Sequence, residues 1–194
     1  MSAIIKPLKQ APLQNWLKKY YFMRALVSLL WVMAAFTVGQ HSLQLGATLL
    51  IVYPAWDALA NYIDSTKSGG FGSNRMQTIN IIVSAVTALA VFVAVRQSMN
   101  SVITVYGIWA ILSGLLQLGV AAQRWKSNGA QWSMILSGAQ STLAGGFFIF
   151  QAQMPVPPSI INIAGYAAFG AFYFLVSAIS LTLILRKNKA ASFS

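Results

Sequence analysis

Residues Val102–Ala122 read VITVYGIWAILSGLLQLGVAA, a run of 21 residues without a charge. Spanning a hydrocarbon core of ~30 Å takes roughly 20 mostly apolar residues in a helix. The run is continuous, without the strict alternation that a membrane barrel strand needs. It therefore predicts a transmembrane helix. Outward from it, Phe22–Val38, Leu43–Ile63, Thr78–Val95, Gln131–Phe150 and Ile160–Leu185 read the same way. The expected fold is all-α, a polytopic membrane protein with six transmembrane helices arranged as three antiparallel hairpin repeats. Residues 22–185 form the membrane domain, residues 1–21 a cytoplasmic segment with an interfacial helix, and residues 186–194 a basic tail.

Composition supports this reading. The 194 residues are 57% hydrophobic and only 8% charged, against about 25% charged in ordinary soluble domains. A soluble surface of this size cannot be clothed with so few charges. The formal net charge of +11 would suit nucleic acid only if the basic residues formed a stripe or face. Instead they sit between hydrophobic segments or near the chain ends. No nucleic-acid partner is expected; the lipid bilayer is.

The same charges set the orientation. Lys6, Lys9, Lys18, Lys19 and Arg24 precede or open the first span. Lys67 and Arg75 lie between the second and third, Arg124 and Lys126 between the fourth and fifth, and Arg186, Lys187 and Lys189 after the sixth. The alternate loops carry only Arg96. Short loops rich in Lys and Arg stay in the cytoplasm, so both termini are expected there, in a multi-pass protein of the inner membrane. No small-x-small cleavage site ends the first segment, so an uncleaved first span is expected. Before it, Leu13, Trp16, Leu17, Tyr20 and Tyr21 recur at helical spacing, with Pro12 suited to a first turn. A short amphipathic helix on the cytoplasmic surface follows as an expectation.

The outer loops are short, which makes each pair of spans an antiparallel hairpin. In the second helix of each, a tyrosine is followed three residues later by Trp or Phe. The strings are YPAWDALANYI from Tyr53, YGIWAILSGLL from Tyr106 and YAAFGAFYFLV from Tyr166. The inner loop Asp64–Gln77 contains Gly69, Gly70 and Gly72 but lacks the Gly-Lys-Ser/Thr ending of a phosphate loop, so it reads as a linker.

YGIWAILSGLLQLGVAAQRWK, followed by QWSMILSGAQSTLAGGFFIF, resembles the HdeD-like short-repeat family of bacterial membrane proteins. Tyr106, Gly107, Trp109, Ser113, Gly114, Trp132, Leu136, Ser137, Gly138 and Gly145 carry the resemblance. The first hairpin departs from it, with Arg24-Ala25 in place of an Arg-Gly step and an atypical Asp57. The resemblance implies an inner-membrane protein without known enzyme activity, in a family known for acid resistance. Acid or envelope stress tolerance is the role it suggests.

Few residues could carry chemistry. His41 is the sole histidine and there is no cysteine, which leaves neither a His-carboxylate metal cluster nor a haem held on both sides. No catalytic residue, metal or cofactor is expected. The only acids are Asp57 and Asp64. Asp64 lies at a helix end near Lys67 and reads as an interfacial charge. Asp57 lies six residues inside Ile63, about 9 Å deep at ~1.5 Å per residue. An intramembrane carboxylate must be paired, wetted or functional. Arg24 opens the adjacent antiparallel helix at nearly the same depth, so an Arg24–Asp57 pair is expected. A solvated Asp57 and a proton or substrate site are the alternatives.

Asn61, Asn80, Gln117, Gln140 and Asn162 also fall within spans and could line a solute path, though such groups more often bond between helices. In the fifth helix, Ser137, Ser141 and Gly145 follow at four-residue spacing, as do Gly138, Thr142 and Gly146. Both rows suit close helix packing. Packing within the bundle is the favoured use, with a homo-oligomer or another membrane protein as partner left open. Two rival functions stand beside stress tolerance: a small-solute or proton-coupled transporter or channel, and a non-transporting scaffold.

Overall fold

The computed structural model describes residues 5–72, 75–128 and 132–191. The six helices are α1 (Ile5–Ala34), α2 (Leu43–Lys67), α3 (Arg75–Ala94), α4 (Met99–Asn128), α5 (Trp132–Gln151) and α6 (Ile160–Ala191). A π-helical turn, Ala35–Gly39, ends α1, with Gln40 N–H donating to the Ala35 carbonyl at 3.0 Å. Among the described residues, five of the six helical stretches are long and apolar enough to cross a membrane. The sixth, α5, is as long as α3, at 20 residues. Large apolar side chains cover the outside, with Leu143 75% and Leu89 69% exposed. A soluble monomer does not leave so much apolar surface open; a multi-pass protein presents it to lipid.

The segment expected as a separate interfacial helix is part of α1, which runs unbroken from Ile5. Pro7 and Pro12 lie within this described helix. The reason for the continuity lies in its inward stripe. Tyr20 is buried, and Trp16 and Tyr20 bond to α2 rather than resting on a membrane surface. Residues 1–4 and 192–194, at the ends of the two terminal segments, lie outside the described residues, as do 73–74 and 129–131.

Each helix packs on its neighbours in chain order, and α1 closes the ring against α6. The tightest contacts are α4 with α5, α1 with α6 and α2 with α3. The pairs joined by the short loops, α1 with α2 and α5 with α6, touch less. Glycine explains the closest pair. A Cβ on Gly107 would come 2.8 Å from the Gly145 carbonyl oxygen, and one on Gly114 would come 2.6 Å from that of Gly138. The α4 and α5 backbones therefore touch at two levels seven residues apart on each helix, which only small residues permit.

Lys18, Lys19, Lys67, Arg75, Arg186 and Lys187 fall at one end of the ring, called here the basic end. The turn after α2 uses Gly69 and Gly70 at φ 109° and 85°, where other residues are strained. At the opposite end lies Arg96, stacked over Phe92 at 4.2 Å.

The two halves of the interior differ in chemistry. The apolar core, including Trp31, Tyr53, Val91, Tyr106, Trp109, Phe148 and Ile163, draws on all six helices and fills the half away from the basic end. Pro54 lies in this region and has no N–H, which frees the Leu50 carbonyl of α2. The buried Tyr106 hydroxyl donates to that carbonyl at 2.7 Å, and Trp31 Nε1 donates to the Leu49 carbonyl at 2.7 Å. With these bonds α2 passes through Pro54 as one helix.

Candidate functional site: a buried ion pair and its polar column

Along α2, Tyr53, Asp57, Asn61 and Asp64 recur at helical spacing and are all buried. This single face meets both α1 and α3. Arg24 Nη2 of α1 forms an ion pair with Asp57 Oδ1. The other carboxylate oxygen accepts from Asn61 Nδ2 at 2.9 Å and from Ser84 Oγ of α3 at 2.7 Å. Ser84 in turn accepts from Trp109 Nε1 of α4 at 3.0 Å. Arg24 donates from Nη1 to the Tyr20 hydroxyl at 3.1 Å, and Tyr20 donates to Asn61 Oδ1 at 3.2 Å. The guanidinium also lies 4.4 Å from the centre of the Phe174 ring on α6, a cation–π contact.

These bonds answer the cost of the charge. An isolated ion in a low-dielectric interior loses several kcal/mol of hydration, and pairing repays it only when the remaining lone pairs are also met. Both Asp57 oxygens have donors, and the pair is 8% exposed at each residue. Four helices are thereby tied at one level. Sequence depth alone brought Arg24 to Asp57; it could not supply Ser84, Trp109 and Tyr20, whose roles follow from neighbouring helices.

Asp64 lies at the basic end of α2, where an interfacial charge is expected, but it is buried and bonded. It is 8% exposed and accepts from Trp16 Nε1 at 2.8 Å, Ser68 Oγ at 3.1 Å and Gln77 Nε2 at 2.6 Å. It joins α1, α2 and α3 at the basic end. The signal available in the sequence was its position seven residues from Asp57, on the same helical face.

The other polar residues scatter. Gln117 accepts from Ser137 Oγ of α5 at 3.4 Å, and Gln140 accepts from the Tyr173 hydroxyl of α6 at 2.8 Å. Asn162 Oδ1 accepts from Ser159 N at 2.8 Å at the start of α6, away from mid-bundle. Asn80 Oδ1 is buried without a partner among the described groups. These residues do not converge on one path.

On α5, Gly138, Thr142 and Gly145 face α4. Ser141 bonds twice, to the Ala110 carbonyl at 2.9 Å and the Tyr166 hydroxyl at 2.7 Å. Gly146 is the exception to the packing expectation: it is exposed, and a Cβ there would meet nothing within 4 Å. At 3.6 residues per turn the contact stripe passes from Gly138 to Gly145, and the next residue turns away.

Ser28 Oγ and the Tyr53 hydroxyl lie 3.4 Å apart between α1 and α2. Trp109 donates to Ser84 between α4 and α3, and Ser141 bonds Tyr166 between α5 and α6. In all three the partners are separated by 25 residues. In this register Trp109, and not Tyr106, stands where Tyr53 and Tyr166 stand.

Residues 79–150 match the family model described as a short repeat of unknown function, DUF308. The HdeD-like membrane proteins belong to this short-repeat family. The short-repeat match covers α3 to α5 and so contains both the Ser84–Trp109 bond and the α4–α5 glycine contact. No curated protein and no solved structure matches the chain.

Proposed function

We propose that the chain is a non-enzymatic, non-transporting protein of the bacterial inner membrane, with both termini cytoplasmic, that supports the envelope under acid stress. In this reading it is built of three hairpin repeats, each closed by one serine–aromatic bond. The observation that carries the non-transporting part is the closure of the Arg24–Asp57 pair. Both Asp57 oxygens are taken by donors from within the bundle, and an aromatic core lies between the pair and the end opposite the basic residues. The stress role rests on the short-repeat match and the family resemblance. The basic residues at one end support the orientation, through the preference of Lys and Arg for cytoplasmic loops.

The experiment has two arms. Cells lacking the chain should survive an acid challenge less well than cells carrying it. Proteoliposomes containing the purified chain should hold a pH gradient as long as empty liposomes do. A gradient that collapses faster with the protein present would replace this reading with proton conduction. Equal survival with and without the chain would remove the stress role.

A further inference from the structure

Six buried side-chain atoms find no hydrogen-bond partner among the described groups. Four of them, Arg24 Nε, Ser65 Oγ, Asn80 Oδ1 and Ser113 Oγ, lie from the level of the ion pair toward the basic end. Trp56 Nε1 sits at the inner limit of this region, and Gln151 Oε1 is at the other end of the bundle. Buried polar groups are nearly always bonded, to protein or to ordered water. Their concentration in one half of the interior needs a physical cause.

Register shows how they are grouped. Arg24, Asp57, Ser84 and Trp109 are bonded in sequence around α1, α2, α3 and α4. One turn toward the basic end on each helix lie Tyr20, Asn61, Asn80 and Ser113. Tyr20 and Asn61 bond each other. Asn80 and Ser113 each lie four residues from the bonded Ser84 and Trp109, toward the basic end of the same two helices, yet both have unmet atoms. One turn further, Ser65 lies beside Asp64 at the basic end. Three polar levels thus follow one another, and the unmet atoms occur along them.

We infer that water enters this column from the basic end and binds at Asn80 and Ser113, in an inlet that stops at the ion pair. Asn80 supplies an acceptor and Ser113 a hydroxyl able to donate or accept, and a buried water commonly makes about three such bonds. Size agrees, on the repeat reading proposed above: the first hairpin fills this place with Arg24 and Asp57, the second with the smaller Asn80 and Ser113. Beyond the Ser84–Trp109 bond, Trp31, Tyr53, Tyr106 and Ile103 pack without a comparable cluster of unmet groups. The inlet therefore brings water to the ion pair, at the unmet Arg24 Nε, from one side of the membrane only.

Deuterium oxide is the probe. The chain has no cysteine, so single thiols can be placed at Ser113 and, as a dry reference, at Ile103. In proteoliposomes moved into deuterium oxide, the infrared S–H band converts to S–D where water reaches the sulfur. Ser113→Cys should exchange at least roughly tenfold faster than Ile103→Cys, since amides and thiols in a packed core exchange only through opening. A parallel measurement on the unaltered chain, with nitrogen-15 in asparagine, follows exchange of the Asn80 side-chain amide. Equal, slow exchange at both thiols together with a protected Asn80 amide would overturn the inlet. Equally fast exchange at both thiols would overturn its one-sidedness. Neither result depends on the acid-survival outcome.

Discussion

A carboxylate inside hydrocarbon is tolerated only when its charge is matched, and Asp57 is matched by one guanidinium and two neutral donors. Removing one partner leaves the other buried and unpaired, which in proteins costs about 3–5 kcal/mol. Asp57→Asn should therefore lower the thermal midpoint of the purified protein in detergent. The change Arg24→Gln combined with Asp57→Asn should recover part of the loss, because it removes the imbalance along with the bond. An Asp57→Asn protein that melts like the parent would sink the structural reading of the pair. Depth and antiparallel geometry make this pair legible in the sequence alone. Asp64 is not legible in the same way, because Lys67 lies three residues away in the chain. Its actual partners, Trp16 and Gln77, come from two other helices.

At the scale of the helix, small residues decide which pairs approach closely. The rows on α5 are readable as a packing face, but a four-residue step drifts off a 3.6-residue period. It places Gly146 on the contact stripe when only Gly145 belongs there. That one-residue difference is testable. Gly145→Leu should prevent the α4 and α5 backbones from touching and lower stability by at least about 1–3 kcal/mol, the usual cost of overpacking. Gly146→Leu, facing open space, should express and melt like the parent. If both variants behave alike, in either direction, the assignment of the α5 face is wrong. The continuity of α1 is hidden for a related reason. Pro12 suits the first turn of a short helix, but Trp16 and Tyr20 gain partners on α2 only if the helix runs on inward.

At the scale of the molecule, the count of helices and the segregation of charge are readable because hydrophobic length and Lys/Arg placement are one-dimensional. Tyr53 and Tyr106 invite one alignment of α2 with α4, whereas the three serine–aromatic bonds favour another, on the repeat reading proposed above. The serine–aromatic register makes a sharper claim: Asn80 and Ser113 occupy the place of Arg24 and Asp57. Charge transplantation tests it. Asn80→Arg alone and Ser113→Asp alone each bury an unpaired charge and should each lower the thermal midpoint. Together they should form a second ion pair, so the double variant should melt above both single variants. The expected coupling is of the order of 0.5–3 kcal/mol, as for other residues in direct contact. The control sets the alternative register against it. Matching Tyr53 with Tyr106, a shift of 53 residues, would put Gln77 and Ala110 in the places of Arg24 and Asp57, so Gln77→Arg with Ala110→Asp would be the coupled pair. On the serine–aromatic register, Ala110 lies one turn from Ser113 and faces the Ser141 hydroxyl through its carbonyl. The Ala110→Asp change should then carry its own penalty whether or not Gln77→Arg accompanies it. Additive losses in the Asn80→Arg, Ser113→Asp protein would show that the two hairpins are not equivalent at this level. The repeat would then be confined to the serine–aromatic bonds themselves.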